Sequence, residues 1–342
     1  MKWVESEAKI TVVPKSEHGV PTYFNHESDF GVHLDEGYMS DGQFVAANLK
    51  THDGRELGIM LHMMCVNPRK DKGVFPGMLS IISMTDFTEN TYCVKEDVFM
   101  QPTISYAADK LDIKTPISYM RREGDMFYAG TDLPDGKGRI ELEMERTGPF
   151  LFNCATGAFP FLNDEVIAYQ FSVPSLKATG KLTLNGKEYK VEGDAWIDRQ
   201  WGDGNEDFGK RTFKWKWMNL NLSNGYKISV WDVVVNDKKE NCWATVMSPK
   251  GAHTVVDVVP FSKGEGNIYE SPVTGQKYPS TYVIEMPSLD AKFDVKVRGL
   301  LEQEIASATG EDKYEAACTF TGTFMGEKVE GFNYVELVGS FK

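Results

Sequence analysis

The chain has 342 residues, of which 41% are hydrophobic and 25% charged, a composition typical of a globular protein with room for two domains. Its 50 acidic side chains outnumber the 37 basic ones and give a formal net charge of −13, so its surface repels nucleic acids and anionic membranes. We therefore expect no nucleic-acid partner.

Targeting and redox signals are weak. The N-terminal residues are charged and lack the apolar segment of a secretory signal, and no apolar run reaches membrane-spanning length. The five cysteines are far apart and odd in number, which argues against a disulfide framework and a structural zinc site. These features predict a cytoplasmic protein without an integral membrane segment, and they leave open whether it is a monomer or a homodimer.

Strand patterns joined by glycine-containing turns recur along the chain. The first pair, near 43–50 and 57–64, is separated by Asp53-Gly54. Three further hairpins are predicted at Asn185-Gly186, Asn224-Gly225 and Gly326-Glu327. The pattern predicts an all-β barrel or sandwich fold. Two regions, 66–77 and 95–138, read as long loops and insertions, and Leu300 to Ala308 is the best candidate for a short helix.

An acidic, glycine-rich segment, Gly202 to Gly209, predicts the internal boundary of the chain. Residues 206–342 then have the size of one lipocalin-type barrel, and residues 1–205 form a larger β domain with insertions. The expected architecture is two lipocalin-like β domains in tandem.

The strand after Asn224-Gly225 carries a candidate acid. Tyr226, Ile228, Val230 and Asp232 alternate onto its more apolar face, which we expect to point into the barrel. An inward carboxyl group in apolar surroundings has a raised pKa and can act as a general acid. Alternatively, Asp232 lies at the strand end and pairs with a structural lysine or arginine.

The preceding strand supports a pocket. Trp215, Trp217 and Asn219 share one of its faces. If that face points inward, its indoles can line an apolar cavity and stabilise a developing cation. The alternative is ordinary packing in a barrel core.

The densest cluster of aromatic and charged residues lies at Gly193 to Gly202. Asp194, Trp196 and Asp198 alternate onto one face of this strand, and Arg199 and Trp201 lie on the other. Asp198 and Arg199 could form an exposed ion pair of little weight, or Arg199 could hold Asp198 or Asp232 in a buried network. The two tryptophans favour a functional site.

The run from Tyr169 through Asn185-Gly186 to Gly202 resembles the carotenoid 1,2-hydratase-like (AttH-like) family. It ends on Trp196-Ile197-Asp198-Arg199-Gln200-Trp201-Gly202, which is similar to the family's W-x-D-H-x-W-[GS] signature. Trp215-x-Trp217 and the closing strand at 331–339 are similar to later parts of the family pattern. The resemblance implies two lipocalin-like domains with a ligand pocket at or near their junction. It also implies hydratases acting on an unactivated C=C bond of a terpenoid or prenyl group, or cyclases of the Diels–Alderase type.

One position departs from the family pattern. Arg199 stands where the family usually has histidine. Arginine stays charged and cannot shuttle a proton, so it would instead hold or polarise a substrate oxygen. With arginine at this position, the family's hydratase mechanism is less applicable to this chain, and an isomerase or cyclase is favoured.

The leading hypothesis is a cofactor-independent, metal-free hydratase or dehydratase acting on a C=C bond of a hydrophobic terpenoid, prenyl or polyketide-like molecule. Asp232 or Asp198 would be the acid, and Arg199 would hold an oxygen. The expected substrate-binding residues, in an aromatic-lined pocket between the domains, are Trp196, Trp201, Trp215, Trp217, Asn219, Tyr226 and Tyr169. The alternatives are a pericyclase acting on a polyene and a non-enzymatic carrier of an apolar ligand.

Overall fold

The computed structural model describes residue 25 and residues 27–33, 40–66, 77–160, 167–202, 213–236, 239–307 and 312–342. These residues form two antiparallel sheets joined by turns and short 3-10 segments. None of them belongs to a helix with the length and apolar character needed to cross a bilayer. The two curled sheets confirm the predicted all-β class.

The first sheet has thirteen strands, in the order β4-β3-β2-β1-β13-β12-β9-β8-β7-β6-β5, with β10 and β11 also paired to β12. Its strands are β1 (Ser40–Thr51), β2 (Glu56–Val66), β3 (Gly77–Asp86), β4 (Thr91–Met100), β5 (Ser105–Tyr106), β6 (Asp112–Lys114), β7 (Ser118–Glu123), β8 (Met126–Asp132), β9 (Gly138–Arg146), β10 (Leu151–Phe152), β11 (Ala158–Pro160), β12 (Ile167–Leu184) and β13 (Lys187–Gly202).

The second sheet has ten strands, in the order β17-β16-β15-β14-β23-β22-β20-β19-β18, with β21 paired to β22. Its strands are β14 (Phe213–Asn221), β15 (Lys227–Val235), β16 (Lys239–Met247), β17 (His253–Asp257), β18 (Gly266–Glu270), β19 (Lys277–Met286), β20 (Ala291–Val297), β21 (Glu304–Ile305), β22 (Lys313–Phe324) and β23 (Glu327–Val338). The predicted boundary at 205/206 lies outside the described residues.

All four predicted hairpins are present. Asn185 and Gly186 connect β12 to β13 with φ of 51° and 79°, the left-handed values that a tight two-residue hairpin requires. The last hairpin turns one residue earlier than predicted, at Met325 and Gly326, so that Phe324 pairs with Glu327. This register fixes which residues of β22 and β23 face each other.

Two local predictions were wrong. Residues 95–138 contain most of β4 and all of β5 to β8, whose short lengths and frequent turns conceal the strand pattern. The candidate helix at Leu300 is an irregular segment that includes β21. The Gln303 side chain donates to the carbonyls of Arg298 and Leu300 at 2.9 and 2.8 Å, which holds the segment in a non-helical path.

Strand alternation separates two cores from a shared layer. Val45, Ala47 and Leu49 of β1 point into the first core, while Ile228 and Val230 of β15 point into the second. The opposite faces of these strands meet between the two sheets. The residues that bear on function lie in that contact.

Candidate active site between the two sheets

An aromatic layer fills the space between the sheets. Trp196 and Trp217 approach edge to face with ring centroids 6.3 Å apart, and Phe44 meets Trp217 at 5.8 Å in the same manner. We call this contact the interdomain layer; its buried hydrophobic members are Phe44, Ala46, Met60, Leu79, Ile81, Leu151, Ala168, Trp196, Trp217, Trp231, Val233, Val235, Trp243, Met247, Ile305, Ala317 and Tyr334.

Asp198 is a buried carboxyl group of this layer, 4% exposed. It accepts a hydrogen bond from the Trp196 indole Nε1 at 2.7 Å and another from the hydroxyl of Ser172, its partner on β12. Burial raises the pKa of Asp198 to about 7, although both hydrogen bonds oppose the rise because they favour the ionised form. This carboxyl group therefore exchanges a proton near neutral pH.

Two carboxyl groups of the second sheet face the same layer. Glu315 on β22 and Glu336 on β23 lie directly opposite each other, and Glu336 accepts the indole hydrogen of Trp215. Burial and the neighbouring Glu336 raise the pKa of Glu315 well above its usual value. The charge of Glu336 also raises the pKa of Asp198, so carboxyl groups from both sheets interact electrostatically.

His62 on β2 adds an imidazole to the layer. Its ring centroid lies 5.8 Å from that of Phe44, its partner on β1. Burial, followed by the positive charge of Lys313, lowers the pKa of His62 to about 3, so the ring is neutral at physiological pH. Within the described residues, no hydrogen-bond partner reaches its Nδ1. This imidazole can therefore offer a neutral ring nitrogen to a ligand.

Two phenols complete the polar part of the layer. Burial raises the pKa of Tyr92 and Tyr334 well above the usual value, and Glu315 adds to both shifts. Both hydroxyl groups therefore keep their protons. Over the described ranges, no group of three or more histidine, cysteine, aspartate or glutamate side chains is arranged to hold a metal ion.

A cavity of about 850 Å³ opens at one end of the layer. Trp196, Asn219 and Tyr334 line it on the inner side, and the exposed Lys177–Asp194 ion pair, 2.6 Å apart, lies at its rim. Its size falls within the range of roughly 300–1,000 Å³ that small-molecule sites occupy. Trp196 connects the cavity with the buried carboxyl group, because the same side chain lines the cavity and donates a hydrogen bond to Asp198.

The family assignment rests on a match over most of the chain. A model of the AttH-like family matches residues 24–340. This chain belongs to the AttH-like family.

Two curated relatives have assigned activities. The AttH-like chain is 29% identical over 179 residues to the dehydratase asqC of Emericella nidulans, a match that covers 49% of this chain and 50% of the relative. It is 26% identical over 214 residues to kievitone hydratase of Fusarium solani subsp. phaseoli, covering 59% of this chain and 57% of that protein. The chain thus spans about half the length of the curated relatives it matches.

Solved structures share the fold along nearly the whole chain. An AttH protein from Nitrosomonas europaea superposes with a TM-score of 0.80 at 19% identity, covering 93% of this chain and 97% of that chain. Kievitone hydratase from Nectria haematococca superposes with a TM-score of 0.77 at 20% identity, covering 95% of this chain and 95% of that chain. CghA with Sch210972 superposes with a TM-score of 0.54 at 13% identity, covering 96% of this chain and 94% of that chain. At these identities the likeness establishes the fold of the AttH-like protein.

Five of the predicted site residues meet in the interdomain layer of this AttH-like protein. The face of β14 that carries Trp215, Trp217 and Asn219 does not point into the second core; Met218 and Leu220 do. The tryptophans instead pack toward the first sheet, and Asn219 lines the cavity. The other two residues are Trp196 and Asp198.

Arg199 occupies a different place from the one expected. It is fully buried on the face of β13 opposite Asp198, with Nη1 2.7 Å and Nη2 2.9 Å from the two carboxylate oxygens of Asp41. Its Nε donates to the carbonyl of Asp29 at 2.7 Å, and Nη2 also donates to that of Gly31. The expected contact with Asp198 or Asp232 is therefore wrong. All three nitrogens are engaged, which does not fit the role of holding a substrate oxygen.

Trp201 and Tyr169 accompany Arg199 rather than the interdomain layer. Trp201 is buried in the first core and Tyr169 packs against that core, with the two rings stacked at 5.4 Å. The Arg199 guanidinium lies 4.5 Å from the centre of the Trp201 ring. These two aromatic residues therefore pack around a buried ion pair and do not wall the cavity.

Asp232 points inward as predicted, but into a packed core. It is fully buried, lies 3.4 Å from Lys216 Nζ and accepts the main-chain N–H of Phe261 at 3.2 Å. The alternative interpretation, an ion pair with a lysine, thus describes its surroundings. Tyr226 also packs against the second core, 4.9 Å from Phe324, so the second sheet separates both residues from the interdomain layer.

Sequence reasoning missed His62, Ser172, Glu315, Tyr334 and Glu336. A signal for the two glutamates existed, because each interrupts an apolar strand on either side of a predicted hairpin. The register of that hairpin places them opposite each other. No local pattern marks His62 or Ser172, since their importance depends on packing between strands distant in the sequence.

Proposed function

We propose that this AttH-like protein is a hydratase or dehydratase that adds water to, or removes it from, a C=C bond of a hydrophobic small molecule. The observation that carries the proposal is the position of Asp198, a buried carboxyl group that accepts the indole hydrogen of the cavity-lining Trp196 at 2.7 Å. The names of the two relatives, a dehydratase and a hydratase, support the same reaction class.

In the hydration direction, the Asp198 carboxylic acid gives its proton to one alkene carbon. The π electrons form the new C–H bond and leave a cation on the neighbouring carbon. A water oxygen bonds to this cation and then gives up one of its protons to a base, which leaves the alcohol. Trp196 lines the cavity with the Trp217 ring packed against it, and aromatic faces attract cationic charge. Dehydration is the reverse sequence, in which ionised Asp198 takes the proton from carbon.

The cavity suits a mostly apolar substrate with at least one polar group. Leu176, Met247 and Phe320 are among its apolar lining residues, and Lys227 and Asn221 are among its polar ones. Lys227 Nζ donates to Asn221 Oδ1 at 2.9 Å, and burial lowers the pKa of this lysine. We assign the substrate's apolar part to the first set and its oxygen atoms to the second.

Asp232 and Arg199 have no part in this proposal. Each is engaged in an ion pair inside one of the two cores, and a sheet separates it from the interdomain layer. Of the two aspartates predicted as the general acid, Asp232 and Asp198, we therefore propose Asp198.

The test is an untargeted mass comparison. A mixed apolar metabolite extract is incubated in ¹⁸O-labelled water with the wild-type protein, with Asp198→Asn, or with the control Asp294→Asn, whose carboxylate is exposed on β20. We expect wild type and control to form a product that gains labelled water or loses water, and Asp198→Asn to form none. A product of unchanged mass would replace the proposal with an isomerase or cyclase, and retention without conversion would replace it with a carrier.

A further inference from the structure

Glu315 is a buried carboxyl group with an unusual set of neighbours. It is 1% exposed, and among the described residues no N–H or O–H group donates a hydrogen bond to either of its oxygens. The side chain directly opposite it on β23 is another carboxyl group, that of Glu336. Two carboxyl groups form a hydrogen bond only when one of them carries a proton. Glu315 is therefore the protonated member of the pair.

Glu336, unlike Glu315, has a hydrogen-bond donor beside it. It is half-buried and accepts the indole hydrogen of Trp215. The register of β22 and β23 places it directly opposite Glu315. Like charges on adjacent buried carboxyl groups repel strongly, so a pair of this kind holds one proton.

The pair lies on the path from the second sheet to Asp198. Glu336 is the β23 partner of Trp217, and the Trp217 ring contacts that of Trp196, whose indole binds Asp198. Across the contact between the two sheets, the charge of Glu336 raises the pKa of Asp198. Hydration and dehydration each need one group that gives a proton and one that takes it.

We propose that Glu315 and Glu336 form a proton-sharing carboxyl pair that acts with Asp198 as the second acid–base group of the reaction. This inference rests on the proposed hydratase or dehydratase function. In hydration, Asp198 gives a proton to carbon, water forms the C–O bond, and the proton that the water loses passes to the ionised Glu336. Return of that proton to Asp198 restores the starting state. In dehydration, the pair gives a proton to the leaving hydroxyl group, and Asp198 takes one from carbon.

The surroundings of the pair set its charge. Positive charge comes from Lys313 on β22, and negative charge from Asp198 on β13. The titratable groups that face the pair or its neighbours include Lys313, Asp198, Tyr92, Tyr334 and His62. Arg298 and Cys318 act on Tyr334, and Cys93 acts on Tyr92. Both phenols keep their protons and the imidazole is neutral, so Lys313 and Asp198 are the charges that bias the pair.

The first test is spectroscopic and does not depend on turnover. Infrared spectra are recorded at pH 6 in an Asp198→Asn background, so that Asp198 does not contribute. We expect the C=O stretching band of a protonated carboxylic acid, its loss on Glu315→Gln, and a shift of its frequency on Glu336→Gln. The matched control is Glu143→Gln, an exposed glutamate on β9, which should leave the band unchanged. Absence of the band in the background would overturn the proposal.

The second test is kinetic, in the wild-type background. Glu336→Gln should lower kcat by about 100-fold or more with little change in KM, since general acid–base catalysis contributes about 10²–10⁴-fold. Full activity in this variant would overturn the catalytic role even if the band is present. A band without any hydration or dehydration by wild type would instead show that the proposed function is wrong while the shared proton stands. If Glu315→Gln does not fold, the variant Glu336→Gln at the half-buried position still gives both the infrared shift and the change in kcat.

Discussion

The indole Nε1 of Trp196 lies 2.7 Å from the Oδ1 of Asp198, two residues further along the same face of β13. The same tryptophan lines the 850 Å³ cavity. One side chain thus lines the cavity and also binds the carboxyl group. A substrate that displaces this indole, or packs against it, directly changes the environment of the acid.

The pH dependence of the reaction should follow Asp198. With a pKa of about 7, its acid form prevails below pH 7 and is lost above it. If Asp198 is the acid, kcat/KM for hydration should be highest on the acid side and fall tenfold per pH unit well above 7. The measurement is a pH–rate profile from pH 5 to 9 on the substrate identified by mass comparison. A rate independent of pH would favour a pericyclase, which needs no titrating acid.

The stability of the fold should also depend on Asp198. Its pKa in the folded protein, about 7, exceeds the ordinary value of 3.8, so the folded state binds more protons between these values. Its stabilising contribution is complete below about pH 4 and is lost as pH rises to 7, with a total of up to about 4 kcal/mol. The Tm of wild type minus that of Asp198→Asn should therefore decrease from pH 4 to 8. A constant difference would contradict the raised pKa.

Removing the indole donor should shift the pH profile. Trp196→Phe keeps an aromatic ring but deletes the hydrogen bond that favours ionised Asp198, so the pKa of Asp198 should rise further. The fall in rate should then begin at higher pH. Trp217→Phe is the matched control, because Trp217 donates to Ser229 at 3.0 Å and not to Asp198. Equal shifts in both variants would show that packing, not the hydrogen bond, controls the acid.

The fold was largely predictable from local signals. Asparagine–glycine turns and period-two alternation identify hairpins, because both depend on a few neighbouring residues. The inward direction of Asp232 followed from the same alternation and is confirmed. Regions 95–138 and 300–307 were misjudged because their strands are short and their backbone paths are set by distant side chains such as Gln303.

The site was less predictable, since alternation gives two faces without saying what each one meets. Asp198 and Arg199 lie on opposite faces of β13, yet only the packing of the second sheet shows that the Asp198 face is the interdomain one. Asp41, the partner of Arg199, is 158 residues away in the sequence. Pairings of this range leave no trace in spacing, so the sequence did not indicate that Arg199 pairs with Asp41 and not with Asp198 or Asp232.

Arg199 should prove to be a stability residue. Arg199→Met leaves Asp41 buried without its cation, and breaking a buried pair in this way costs about 3–5 kcal/mol. Chemical denaturation should show this loss, while activity per folded molecule stays close to wild type. The control Lys292→Met breaks an exposed ion pair with Glu285 and should change stability by less than about 1 kcal/mol. Lost activity with unchanged stability would return Arg199 to the list of substrate-binding groups.

Obstructing the cavity rim should impair substrate entry. Lys177 is an exposed residue of β12 that lines the cavity, and Lys177→Trp places a bulky ring there. We expect KM to rise at least tenfold with an unchanged Tm, because substrate access is reduced while both cores stay intact. Lys181→Trp is the matched control, since Lys181 is exposed four residues further along the same strand and does not line the cavity. An unchanged KM in Lys177→Trp, measured beside this control, would mean that substrate reaches Asp198 by another route.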